Sequence, residues 1–171
     1  FVAFDSTATN LVGGDTNGVQ DVFVRDLGFA PPNAYCTAKV NSQGCTPAIG
    51  WTGTPSLGGA DDFHVTASLV RNASPGIMFW GTSPTAVPFA GGTRCVQAPV
   101  IRTDFLVSGG SSFPTADCSG TYDYPFTHAY MASFFLGAGT TVYAQFWQRD
   151  SIHPDGTGQG LTDGLRFTVA P

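Results

Sequence analysis

Asp62-Phe-His-Val-Thr-Ala-Ser-Leu-Val70 alternates apolar and polar residues without a break. Phe63, Val65, Ala67 and Leu69 fall on one side, and His64, Thr66 and Ser68 on the other. Successive side chains of an extended strand point to opposite faces, so a period of two reads as a strand with one face in a core and one in water. Residues 142–149 repeat the pattern, with Val142, Ala144 and Phe146 opposite Tyr143, Gln145 and Trp147. Between Gly76 and Gly81 the run Ile77-Met-Phe-Trp80 is apolar throughout, which suits a central strand covered on both faces. Residues 165–169 form a further strand, and 94–96, 103–107 and 122–127 are weaker candidates. Residues 128–136 have room for two helical turns before Gly137 and Gly139 stop them.

Composition points the same way. All twelve acidic residues are Asp, Glu is absent and Lys39 is the only lysine, so strong surface helix formers are missing. The 22 Gly and 12 Pro interrupt almost every window long enough for a helix. The expected fold is all-β, an antiparallel β-sandwich of jelly-roll type, with one core at this length. Residues 35–171 form that module. Residues 28–34, Gly-Phe-Ala-Pro-Pro-Asn-Ala, read as a short stiff linker.

Residues 1–27 stand apart from the module. Apolar runs at 1–4 and 22–24 flank Asn10-Leu-Val-Gly-Gly-Asp-Thr-Asn-Gly18, which makes a strand, a loop and a strand. A piece this small cannot bury its own apolar side chains. Val2 and Phe4 point to one side, Phe1 and Ala3 to the other, and Val22 and Val24 repeat the alternation around Phe23. The leading expectation is a secreted structural protein that assembles head to tail. In that reading Phe1, Val2, Phe4, Val22, Phe23 and Val24 anchor the segment on another copy of the chain by strand addition. Donor and acceptor surfaces differ, so such a contact propagates into a ring or a fibre. The alternative is a monomeric module that binds carbohydrate or a cell surface, with the segment docked on its own body. Trp51 and Trp147 would then be the glycan-stacking aromatics, whereas Trp80 sits in an apolar run and reads as core.

The stretch Phe4-Asp-Ser-Thr-Ala-Thr-Asn-Leu-Val-Gly-Gly-Asp-Thr-Asn-Gly18 with Asp21-Val-Phe-Val-Arg-Asp26 resembles one repeat of the TolB-type β-propellers of secreted bacterial proteins. The likeness covers residues 1–27 only, and a propeller needs several such blades. From about residue 34 the chain resembles an uncharacterised C-terminal module of large secreted proteins of environmental bacteria. Its marks are Tyr35-Cys-Thr-Ala-Lys-Val-Asn-Ser-Gln-Gly-Cys-Thr-Pro47, Phe89-Ala-Gly-Gly92, Asp117-Cys-Ser-Gly-Thr-Tyr122 and Gln145-Phe-Trp-Gln-Arg-Asp150. The resemblance implies export and a surface location, and it implies no activity.

Cys36, Cys45, Cys95 and Cys118 make an even count, which in an exported chain reads as two disulfides. Cys36 and Cys45 flank the turn-like Asn41-Ser-Gln-Gly44, so the expected pairs are Cys36–Cys45 and Cys95–Cys118. Zinc is a weaker reading, since no C-x-x-C spacing occurs. A net charge of −5 without a basic cluster argues against nucleic acid, and no apolar run is long enough to span a bilayer.

Asp15, Asn17 and Asp21 place side-chain oxygens at positions 1, 3 and 7 of a loop with Gly18 at the bend, a candidate calcium site. A plain Asx turn is the competing reading, and no cofactor is required. A second loop, Asp150-Ser-Ile-His-Pro-Asp155 with Thr162-Asp163, gathers three carboxylates and one imidazole. It is a further candidate for a cation or an acid–base pair, and a solvated loop otherwise. No nucleophile elbow is present, His64, His128 and His153 lie in unrelated contexts, and no enzyme activity is expected. Asn72-Ala-Ser74 matches a glycosylation acceptor weakened by the following Pro75.

Overall fold

A computed structural model of the chain describes residues 2–14, 18–25, 28, 30–112 and 114–171. The chain divides into two compact units, Phe1–Ala30 and Pro31–Pro171. The first unit is a hairpin of β1 (Val2–Ser6) and β2 (Asp21–Arg25), paired antiparallel from Val2↔Arg25 to Ser6↔Asp21.

The second unit is built from β3 (Asn33–Tyr35), β4 (Ala48–Thr52), β5 (His64–Val70), β6 (Pro75–Gly81), β7 (Pro84–Phe89), β8 (Gly92–Val96), β9 (Ile101–Arg102), β10 (Leu106–Val107), β11 (Gly120–Pro125), α1 (His128–Ser133), β12 (Thr141–Arg149) and β13 (Gln159–Thr168). One antiparallel sheet runs β10-β6-β12-β13-β3, with β9 also on the edge of β6. A second runs β11-β5-β4, and β7 pairs β8 as a separate hairpin. The all-β antiparallel sandwich is therefore the observed architecture. β3 begins at Asn33, so the end of the expected linker is strand.

The two sheets face each other across a core in which Met78, Trp80, Val142, Ala144, Phe146, Leu165 and Phe167 meet Ile49, Val65, Ala67, Val70 and Tyr122. The Tyr122 and Phe146 rings stack across the gap at 5.5 Å, and the Tyr122 hydroxyl donates to the Ser74 carbonyl at 2.8 Å. Burying each such side chain stabilises by about 1.5–3 kcal/mol. The short helix starts from Thr127, whose hydroxyl accepts from the Tyr130 amide at 3.1 Å, and its Met131 is buried under the sandwich.

The outer face of the larger sheet is covered by the β7–β8 hairpin, through a smaller core of Phe79, Val96 and Leu161 flanked by Val100, Tyr143 and Trp147. Hence β6 has apolar side chains on both faces, as its unbroken apolar run requires.

Two irregularities correct the strand reading. In β5, Ser68 and Leu69 together face the single Thr121, a bulge between the pairs Val70↔Gly120 and Ala67↔Tyr122. Leu69 takes φ 55 and is 49% exposed, while Val70 turns into the core in its place. In β13, Thr162 and Asp163 together face Phe146. The Thr162 hydroxyl accepts the Phe146 amide at 3.0 Å and so stands in for the displaced backbone carbonyl.

The disulfides are Cys36–Cys95 and Cys45–Cys118, which overturns the expected pairs Cys36–Cys45 and Cys95–Cys118. The turn between Cys36 and Cys45 does form, with Gly44 N donating to Asn41 O at 3.0 Å and Asn41 N to Cys45 O at 2.8 Å. Its two arms then part. Cys36 follows β3 on the larger sheet, whereas Cys45 leads into β4 on the smaller one. Each cysteine thus meets a partner far along the chain, at separations of 59 and 73 residues.

Candidate functional site

The acidic loop candidates are consumed by structure. Asp150, fully buried, accepts the Ser42 amide on Oδ2 at 2.7 Å and lies 3.9 Å from Arg71 Nη1. Asp163 Oδ1 accepts the Ile49 amide at 2.7 Å, and burial pushes its carboxyl above the usual range. Asp155 is held well below that range, chiefly by a hydrogen bond from Lys39 and further by bonds from Thr157. His153 meets the Val40 carbonyl through Nε2 at 2.8 Å and Asp155 through Nδ1 at 2.8 Å.

His64 lies against Asp123 at 2.6 Å on the surface. Asp15 and Asn17 of the calcium candidate lie outside the described residues, and Asp21 opens β2 opposite Ser6. Among the described residues no group of three or more His, Cys, Asp or Glu is placed to hold a metal ion. Asn72 is buried, and its amide donates to Ser111 O at 2.6 Å and Thr115 O at 2.8 Å, so its side chain braces a loop.

Trp51 and Trp147 are not brought together. Trp51 is the penultimate residue of β4 on the smaller sheet and is 37% exposed, whereas Trp147 lies on the outer face of the larger sheet. Trp80 is core, its indole donating to the Tyr130 hydroxyl at 2.9 Å.

Trp147 lines the cleft that the β7–β8 hairpin leaves open on that face. The cleft holds about 350 Å³ and is bounded by Ile77, Phe79, Phe89, Arg94, Val100, Arg102, Phe105, Trp147 and Gln159. Trp147 Nε1 donates to Gln159 Oε1 at 2.7 Å, which fixes the indole plane as part of the wall. The rim is formed by Phe89, 40% exposed at the hairpin tip, and Phe105, 77% exposed.

No carboxylate lines the cleft among the described residues. Neither Arg94 nor Arg102 has an ion-pair partner among the described residues, and Arg94 Nε is buried without a hydrogen bond. Aromatic faces beside two uncompensated guanidinium groups can take an apolar or aromatic group that carries a carboxylate. The sequence pointed to Trp147 alone here. Phe89, Arg94, Arg102 and Phe105 sit in short or irregular segments where periodicity gives no direction.

The hairpin also exposes apolar side chains. Phe4 and Phe23 stack at 5.6 Å, yet Phe4 is 42% and Val22 75% exposed. The Gln20 amide donates to Asp5 across its mouth. Phe1 lies outside the described residues, as do the side chains of Val2 and Val24. Compared with family models, with curated proteins and with solved structures, the chain shows no match.

Proposed function

We propose that this chain is an extracellular structural subunit that self-associates head to tail through its N-terminal hairpin. The observation that carries the reading is a two-stranded sheet with no core of its own, on which Phe4 and Val22 remain exposed. Two strands without a third layer are marginal in water, so the hairpin gains from any surface that covers it. Burying Phe4 and Phe23, which share one face of the hairpin, would contribute about 1.5–3 kcal/mol each before association costs. The two disulfides suit an oxidising compartment.

Electron microscopy and sedimentation velocity of the full chain, beside a variant lacking residues 1–30, test this. Rings or fibres that disappear with the deletion support it. A full chain that sediments as a monomer at every concentration rejects it. A second reading, a glycan-binding module, draws on Trp147 in the cleft alone, because Trp51 lies on the other sheet.

A further inference from the structure

We infer that the aromatic cleft on the outer face of the larger sheet, with the adjoining β9–β10 edge, is the acceptor for the N-terminal hairpin of a second copy; this rests on the self-association proposed above.

Charge selects the occupant. Residues 1–30 carry four Asp (Asp5, Asp15, Asp21 and Asp26) against one cation, Arg25, a net charge of −3 within the chain total of −5. The cleft carries Arg94 and Arg102 with no carboxylate among its described lining residues. The β12–β13 register puts Arg149 beside Gln159 and Arg166 beside Tyr143, on that same outer face. Asp104 adjoins Phe105 in sequence and is not among the described lining residues of the cleft. An acidic, apolar arm thus has a basic, apolar counterpart, and the match steers encounter as well as register.

Shape agrees with charge. On the hairpin Phe4 lies opposite Phe23 and, two residues along on the same face, Ser6 lies opposite Asp21, so rings and a carboxylate share one face of the sheet. A cleft of about 350 Å³ falls in the range of roughly 300–1,000 Å³ that accommodates ligand groups. At its margin, residues 101–107 run along β6; β9 has no strand on its outer side among the described residues, whereas just past β10 the Ser108 carbonyl accepts the Thr121 amide of β11. Phe105 and Val107 on this edge are 77% and 71% exposed. An open edge with apolar side chains pairs with an incoming strand. The free side of β1 or β2 supplies one while Phe4 enters the cleft.

The test uses full-length protein in which a photo-crosslinking phenylalanine analogue replaces Phe4, mixed from ¹⁵N-labelled and unlabelled preparations. Crosslinks between differently labelled chains, mapped by mass spectrometry to residues 89–107, are expected. Arg94→Glu with Arg102→Glu is expected to lower the polymer fraction at least tenfold. Arg94→Lys with Arg102→Lys should keep most of it, and near-ultraviolet circular dichroism should show both variants folded. Crosslinks confined to a single chain, or landing elsewhere on the neighbour, overturn the acceptor assignment while leaving self-association standing. Absence of any polymer in the parent chain defeats the underlying reading as well.

Discussion

Lys39 Nζ lies 2.6 Å from Asp155 Oδ2, with only 5% of the lysine side chain exposed. The same ammonium donates to the Ala90 carbonyl at 2.7 Å, the Thr157 hydroxyl at 2.8 Å and the Gln159 carbonyl at 2.8 Å. The only lysine of the chain therefore ties the tip of the β7–β8 hairpin to the loop before β13. Lys39→Met removes the donor and leaves two carbonyls unpaired, a loss of about 2 kcal/mol or more in urea denaturation.

The pH response of this pair has a definite sign. The Asp155 carboxyl is held below its usual value in the folded state, so its contribution is complete above the unfolded carboxylate pKa of about 4. It is lost as pH falls below that value toward the folded one. Asp163, raised by burial, acts in the opposite sense. Urea midpoints of the parent chain should fall between pH 4 and pH 2, and Lys39→Met should remove part of that fall.

Gln145 is fully buried on the outer face of β12 and serves three backbone groups. Its carbonyl accepts the Cys95 amide at 2.9 Å, and its amide donates to Thr93 O at 2.9 Å and Thr162 O at 2.6 Å. Gln145→Leu keeps the volume and strands all three groups, at a cost of about 2–3 kcal/mol. Chemical denaturation reads this directly, and a change below half that size would show that the neighbours find other partners.

Phe135 follows the last turn of α1 with φ 55 and is 94% exposed. That left-handed position after a helix is where glycine costs least. Phe135→Gly should stabilise by about 1 kcal/mol, seen as a higher thermal midpoint. An unchanged or lower midpoint would mean that the ring makes contacts its exposure does not reveal.

Loss of either disulfide should cost about 4 kcal/mol by loop entropy, because both close long loops. A non-reduced digest should yield peptides joining Cys36 to Cys95 and Cys45 to Cys118. A Cys36–Cys45 peptide in folded material would contradict the topology.

The strands were legible where burial is one-sided. Val65 and Ala67 in β5, and Val142, Ala144 and Phe146 in β12, lie inward as their alternation requires. The reading failed at Leu69, where one left-handed residue reverses the faces, because a bulge leaves no mark on an alternating pattern. It failed again at the cysteines, since a turn shows in local sequence but the divergence of its arms is set by sheet membership. Of the cleft, Trp147 was visible as an aromatic on a mixed strand face. Arg94 and Phe105 reach it only through the packing of a separate hairpin and an irregular edge.

The crossed disulfides also decide how the body would bear a pull. Tension entering from the N-terminal side reaches Cys36 directly after β3. The shortest covalent route onward runs along residues 36–45 and through the Cys45–Cys118 bond. Most of the chain between Cys36 and Cys118, including β5 to β10, lies off that route and adds no length under load. Single-molecule extension should therefore show a short contour that lengthens only after reduction, the behaviour of a link that stretches little before it breaks.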